Sequence, residues 1–332
     1  MNQASIIIPT YKRVNLLSQV LESLILQDNI FEILVVDSNT NDGTKKLVES
    51  CNLNTEINVK YFDVDNNVSL KRNTGIKESL TENLIFLDDD CIPDKSFVKI
   101  HMSHLSANPD ILNCGDVFFP EELVLTSNYI RYKNSRHLQY RYKHPNDLDL
   151  DFRSIVTMNM SIKKEKVIEN NLFFREDFIG YGMEDNEFGC QVMDAGMKLK
   201  RCPASIQHME DNISFMFASK IFHTSRDGVF KLKSINNSAV MKLPYSYFFE
   251  NDYIHKNFYI KYLIKSFRLL FNIKIAKYVL NILNLIDKNK VLYFPILYRY
   301  VFASYYHDGI KKRSEAYKTS KEVSNSWYEN NS

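Results

Sequence analysis

Three consecutive carboxylates, Asp88-Asp89-Asp90, follow the short apolar run Leu84-Ile85-Phe86-Leu87. Side by side at a strand end they repel one another, and burying them unpaired is costly. A cation removes that cost. Hard oxygen ligands on an open loop suit Mg²⁺ or Mn²⁺ shared with substrate phosphates; a solvated acidic turn is the plain alternative. A second acidic stretch is Gly180-Tyr181-Gly182-Met183-Glu184-Asp185-Asn186-Glu187. Its two glycines let the backbone approach a ligand closely. The acids at 184, 185 and 187 fall in the first turn of a predicted helix, where the macrodipole favours negative charge. Helix capping accounts for one such acid better than for three.

These groups need elements to hold them. Continuous apolar runs predict strands over 4–9, 31–36, 57–62 and 84–87, alternating with helices over 16–26, 44–51 and 69–80, the pattern of right-handed βαβ units in a parallel sheet. Ligands of open α/β sheets bind outside the carboxyl ends of the strands. Thr10, Asp37 and Asp88–Asp90 each sit at such an end, so three polar groups distant in sequence converge on one edge. A helix over 93–107, strands over 111–119 and 154–162, a helix from 184 to Ala195-Gly196 and a strand over 197–201 leading to His208 complete the reading. His101 and His104 have metal-pair spacing but read as helix surface. Residues 120–150, polar and aromatic without clean periodicity, read as a loop over the site. No recognised nucleic-acid module surrounds them, so no nucleic-acid partner is expected.

Composition excludes other chemistries. Glycine occurs 9 times, first at Gly43, so no G-x-G-x-x-G or Walker loop can open the chain. Five scattered cysteines without a C-x-x-C pair argue for a reducing compartment and against disulfide or zinc frameworks. No basic n-region and no apolar run of spanning length are present, so neither a signal peptide nor a spanning helix is expected. Residues 251–332 carry 14 Lys and Arg against 6 Asp and Glu, whereas the preceding 250 carry 28 against 34, an acidic front and a basic, aromatic back.

In order along the chain, Ile6-Ile7-Ile8-Pro9-Thr10-Tyr11, Val35-Val36-Asp37-Ser38 with Asp42-Gly43-Thr44, Lys71-Arg72-Asn73-Thr74-Gly75 and Phe86-Leu87-Asp88-Asp89-Asp90 resemble the motifs of family 2 glycosyltransferases. Gly180 to Glu187, with Asp194-Ala195-Gly196, is similar to the acceptor-side Glu-Asp motif of that family and of the β-1,4-galactosyltransferases. The resemblance covers about 4–210. It implies a GT-A fold (Rossmann-like, a mostly parallel central sheet with flanking helices) and inverting transfer of a sugar from a UDP-sugar. By position it implies that Pro9, Thr10, Tyr11 and Arg13 line the nucleotide pocket, that Asp37 takes the uracil NH, and that Arg72, Asp88 and Asp89 lie beside base, ribose or diphosphate. Asp90, His208 and Asp88 would hold Mn²⁺ or Mg²⁺. Tyr181, Gly182 and Glu184 would shape the acceptor site, and Asp185 would be the base. Glu184 and Glu187 beside it raise its pKa while the helix N-terminus lowers it. Cys91 stands where many relatives carry another acid, which leaves the leading member of the metal pair open by one position.

The expected organisation is a catalytic domain over 1–215 (nucleotide and metal half 1–110, acceptor half 111–215), a mainly α-helical appendage over 216–310, and a polar tail over 311–332. On a helical wheel Ile260, Leu263, Ile264, Phe267, Leu270 and Phe271 share a face opposite Lys261, Lys265 and Arg268. That face suits packing on the catalytic domain, a subunit interface, or an anionic membrane reached through 255–306. The expected activity is transfer of one hexosyl or N-acetylhexosaminyl unit to a glycan or lipid-linked glycan, in surface polysaccharide or glycoconjugate synthesis. The expected setting is the cytoplasm, with peripheral docking on the inner membrane face as one option and a homo-oligomer as another. A non-catalytic binding protein on the same fold and a sugar-phosphate nucleotidyltransferase are the rivals; the latter's glycine-rich N-terminal loop is missing.

Overall fold

The computed structural model describes residues 3–38, 41–143, 149–209, 214–244 and 268–318, with Ser246 and Ser266. In chain order the elements begin β1 (Ala4–Pro9), α1 (Val14–Ile25), β2 (Ile30–Asp37), α2 (Thr44–Asn54), β3 (Asn58–Asp63), α3 (Val68–Glu78) and β4 (Asn83–Leu87). There follow β5 (Cys91–Pro93), α4 (Phe97–Ala107), β6 (Ile111–Phe118), α5 (Glu121–Thr126), α6 (Asn128–Lys143), β7 (Asp149–Leu150), β8 (Asn159–Lys163), α7 (Lys164–Glu169), α8 (Glu184–Asp194) and β9 (Lys198–His208). Among the described residues the remainder is helical: α9 (Ser214–His223), a π-helical turn over Thr224–Gly228, α10 (Val229–Ile235), α11 (Asn237–Lys242), α12 (Ile273–Leu285) and α13 (Pro295–Lys318). The chain divides into two compact units. One holds 1–120, 134–177 and 184–210; the other holds 121–133, 178–183 and 211–332.

The first unit is a mixed α/β layer structure around a sheet of order β3-β2-β1-β4-β8-β6-β9-β5, with β7 paired to β9. Strands β1 to β4 are mutually parallel, as continuous apolar runs covered on both faces require. β8 enters antiparallel between β4 and β6, so the second half of the sheet is mixed. β1 explains the layering: Ile6 and Ile8 feed the core on one face and Ile7 the core on the other, the alternation a pleated strand imposes. Gly75 lets α3 press onto β1, since a Cβ there would lie 2.3 Å from the Ile7 side chain. That close approach sets Lys71 and Arg72, one turn earlier on α3, over the strand ends.

Two sequence expectations are corrected. Residues 121–143 are helices α5 and α6 rather than a loop. α6 interleaves aromatic and basic residues, which blurs its apolar period, yet Tyr129, Ile130 and Tyr132 are buried. His101 is buried rather than on the helix surface: its Nδ1 and Nε2 meet Ser161 Oγ at 2.9 Å and Asn159 Oδ1 at 2.8 Å. Burial pushes its pKa down to about 4.

The second unit packs α12 and α13 with α9 and the π-turn around Tyr129, Phe217, Tyr298 and Phe302. Tyr132 stacks on Tyr298 with centroids 5.1 Å apart, and Asp287 Oδ1 accepts from Tyr129 N at 2.7 Å. Of the amphipathic face predicted over 260–271, residues 260–265 and 267 lie outside the described residues, as do 319–332 of the expected tail. Among the described residues no helix is long and apolar enough to cross a membrane.

Candidate active site

The carboxyl ends of β1, β2 and β4 bring the N-terminal motifs together. β1 ends at Pro9, and Thr10 continues the register, its N donating to Val36 O at 2.9 Å. Thr10 Oγ1 donates to Asp89 Oδ2 at 2.7 Å. Arg13, at the start of α1, reaches Asp89 Oδ1 at 3.0 Å and Asp90 Oδ2 at 2.6 Å. Burial raises the Asp89 carboxyl to about 6 despite the Arg13 guanidinium, with the Asp90 charge adding to the rise. Burial also opposes the charge on Asp90, but His208 and Arg13 hold that carboxyl well below the ordinary range. The two adjacent carboxyls are thus shifted in opposite directions.

Asp37, at the end of β2, accepts from Tyr61 Oη at 3.1 Å. Between the β1 and β2 ends lies Lys71, a residue the sequence reading did not place in the site. Its Nζ donates to Thr10 O at 2.7 Å and to Asn66 Oδ1 at 3.0 Å, and sits 5.2 Å from the Tyr11 ring centroid. Burial pushes its pKa down to about 8, with Asp37 and Asp89 pulling it back up. The signal for it was present: Lys71 adjoins Arg72, which the resemblance places beside base, ribose or diphosphate.

Arg72 joins the two acidic stretches. NH1 donates to Glu184 Oε1 at 3.3 Å and NH2 to Asp88 Oδ1 at 3.4 Å. Its guanidinium lies 5.3 Å from the centroid of Phe174, which stacks on Phe188 of α8 at 4.2 Å. Asn73 fastens the same segment by donating to Phe174 O at 2.8 Å. Phe174 is thus a hinge-pin between α3 and α8, and no local pattern in the sequence announces it. Asp185 follows Glu184 in the first turn of α8. Burial first, and the Glu184 charge second, push its pKa up to about 7, while Arg72 pulls it down. Gly182 and Met183 both take left-handed backbone, at φ +83° and +77°, and turn the chain immediately before these acids. Tyr181 and Gly182 belong to the second unit, where Lys220 Nζ lies 5.8 Å from the Tyr181 ring.

His208 comes to the triple-acid loop through β5, a three-residue strand whose Cys91 pairs with His208 of β9. His208 Nε2 lies 3.5 Å from Asp90 Oδ2, and its ring lies 5.4 Å from Phe119. Ligand atoms of Asp90, Cys91 and His208 fall within 4.8 Å of one another. The Cys91 thiol is pushed well above its ordinary pKa by burial and by the neighbouring acids, so it stays protonated near neutrality and offers no thiolate. One carboxylate and one imidazole, with the remaining positions open, fit a hard divalent ion that shares oxygens with a diphosphate.

Comparisons with known proteins agree with these motifs. Residues 5–167 match the family described as glycosyl transferase family 2, and residues 136–212 match the one described as the N-terminal domain of galactosyltransferase. The uncharacterized glycosyltransferase YfnE of Bacillus subtilis is 25% identical over 256 residues, covering 63% of this chain and 65% of its own length. A chondroitin synthase of Escherichia coli is 22% identical over 239 residues, covering 62% of this chain and 34% of its own. The chain thus spans under two thirds of either relative. The solved structure of S. aureus TarS 1–349 in complex with UDP-GlcNAc covers 97% of this chain and 93% of its own, at 14% identity and a TM-score of 0.49. The match to glycosyl transferase family 2 thus runs through residues 5–167, just under half of the chain.

Proposed function

We propose that the protein transfers one sugar from a UDP-sugar to a hydroxyl of a glycan acceptor, with inversion at the anomeric carbon and with Asp185 as general base. The observation that carries this reading is the Arg72 bridge, which ties Asp88 of the triple-acid loop to Glu184 beside Asp185. A donor-side acid and an acceptor-side acid held by one guanidinium are what a single displacement between two substrates needs. The acceptor oxygen bonds to the anomeric carbon as the bond from that carbon to the β-phosphate oxygen breaks, and the acceptor proton passes to an Asp185 oxygen. One displacement needs one base, the logic that also governs inverting glycosidases.

In this reading Asp37, Tyr11 and Lys71 bound the uridine side, and Thr10 and Arg13 keep the triple-acid loop in place. Glu184 accepts from the acceptor's hydroxyls while its charge keeps Asp185 basic. Asp90 and His208, with Asp88 nearby, would hold Mn²⁺ or Mg²⁺, which when bound neutralises the diphosphate leaving group as a Lewis acid. The names of relatives such as the chondroitin synthase support a glycan acceptor.

Calorimetric titration of UDP with and without Mn²⁺, on wild type and on Asp90→Asn, tests the donor half. Metal-dependent binding that Asp90→Asn loses is expected, whereas no UDP binding under either condition overturns the donor assignment. For the acceptor half, Asp185→Asn should lower kcat by about 10²–10⁴-fold while UDP still binds. Undiminished transfer would remove Asp185 from the role of base.

A further inference from the structure

We propose that the outer face of α12 is a docking surface for an anionic membrane leaflet. α12 meets the rest of its unit through Ala276, Leu280 and Leu283, which are buried and lie on one helix face at intervals of four and three. A surface helix of this kind carries polar residues on its other side. Instead Ile275, Tyr278, Ile282 and Leu285 run down that side at intervals of three, four and three, exposed by 54%, 68%, 38% and 86%. Leu269 before the helix and Val291 after it are exposed by 81% and 90%. Single exposed leucines are ordinary; an apolar row flanked by charge marks a partner.

Charge decides which partner. Lys274, Lys277, Lys288 and Lys290 are all exposed. Between residues 268 and 300 the acid is Asp287 alone, and its carboxylate is engaged by Tyr129 N at 2.7 Å and Tyr298 Oη at 3.3 Å. The 3-4-3 spacing would also suit a helix seam between two copies of this chain. A two-fold interface, however, brings the same lysine-bearing patch against itself, and like charges across an interface oppose association. An anionic leaflet accepts both the apolar row and the lysines. At 13 residues α12 is about 20 Å long, too short to span a bilayer, so it lies in the interface plane. This surface is independent of sugar transfer.

Flotation of the full chain with phosphatidylcholine vesicles, with or without phosphatidylglycerol, tests it. Wild type should float with the anionic vesicles and release at high salt. Lys274→Gln with Lys277→Gln should weaken partition roughly thirtyfold, and Ile282→Asp with Leu285→Asp should abolish it. Because all four side chains are exposed, the variants should keep wild-type circular dichroism and metal-dependent UDP binding. Failure of wild type to float, or equal flotation of wild type and both double variants, overturns the proposal. So does a solution dimer that Leu285→Asp dissociates in a protein that ignores vesicles, because the face would then join two copies of the chain.

Discussion

Asp185 owes its raised pKa first to burial and then to the charge of Glu184. An ordinary aspartate ionises near pH 4, too weak a base for an alcohol; burial and the Glu184 charge push this one up to about 7. In the general-base role proposed above it must be deprotonated, so kcat/KM should climb tenfold per pH unit below about 7 and level off above it. Glu184→Gln removes one of the two causes, and the acid limb of the profile should move to lower pH. A profile that stays in place would show that Glu184 does not tune Asp185. The adjacent acid that carries this effect, Glu184, is legible in the sequence, whereas Glu187, expected to share it, accepts instead from Gln191 Nε2 at 2.6 Å. The engagement of Asp89 by Thr10 and Arg13 is not, because it depends on where α1 starts relative to the β4 end. Lys71 was read as part of a helical motif, and only its contacts with Thr10 and Asn66 give it a place at the edge.

Elements that build the front half of the sheet were written plainly. The apolar run over 4–9 is β1, and the runs at 31–36, 57–62 and 84–87 match β2, β3 and β4 within a residue at either end, because strands covered on both faces are apolar throughout. β5 escaped notice: three residues carry no period, and its reason for existing is a partner strand far along the chain. α6 escaped because its tyrosines and basic residues hide the apolar spacing. His101 on α4 reaches β8 through Asn159 and Ser161, a buried link read from sequence as surface. Its unfolded pKa is about 6.5 and its folded pKa about 4, so the unfolded chain binds the extra proton between those values and stability is lost as pH falls through that window. Denaturant unfolding at pH 7 and pH 4 should differ by up to about 3 kcal/mol from this group. In His101→Gln that part of the difference should vanish; an unchanged pH slope would show that His101 is not its source.

At the scale of the molecule, charge and apolar surface are sorted. The acids gather at one sheet edge of the first unit, and exposed apolar and basic residues gather on α12 of the second. Binding of UDP and Mn²⁺ at that edge, as proposed above, should stabilise the fold by mass action. With UDP and Mn²⁺ at about 100 times their dissociation constants the gain is about 2.7 kcal/mol, roughly 4 °C in Tm for a chain of this size. Asp90→Asn should show little of that rise in a thermal scan, and a full rise in the variant would move the ion elsewhere. The bipolar charge distribution was visible in the sequence. Its assignment to α12 was not, because the wheel that looked most amphipathic lies upstream and spacing alone does not say which face a neighbour covers.

The pairing of β5 with β9 has a consequence in time. It joins Cys91 to His208, more than a hundred residues later, and closing so long a loop comes after the local βαβ contacts have formed. During synthesis at about 5–20 residues per second the acidic loop leaves the ribosome roughly ten seconds before its imidazole. A nascent chain of that length thus holds the three aspartates, Thr10 and Arg13 but not the imidazole that meets Asp90. Of the two basic groups that meet Asp90 in the folded protein, Arg13 and His208, the arginine is made first and the imidazole last.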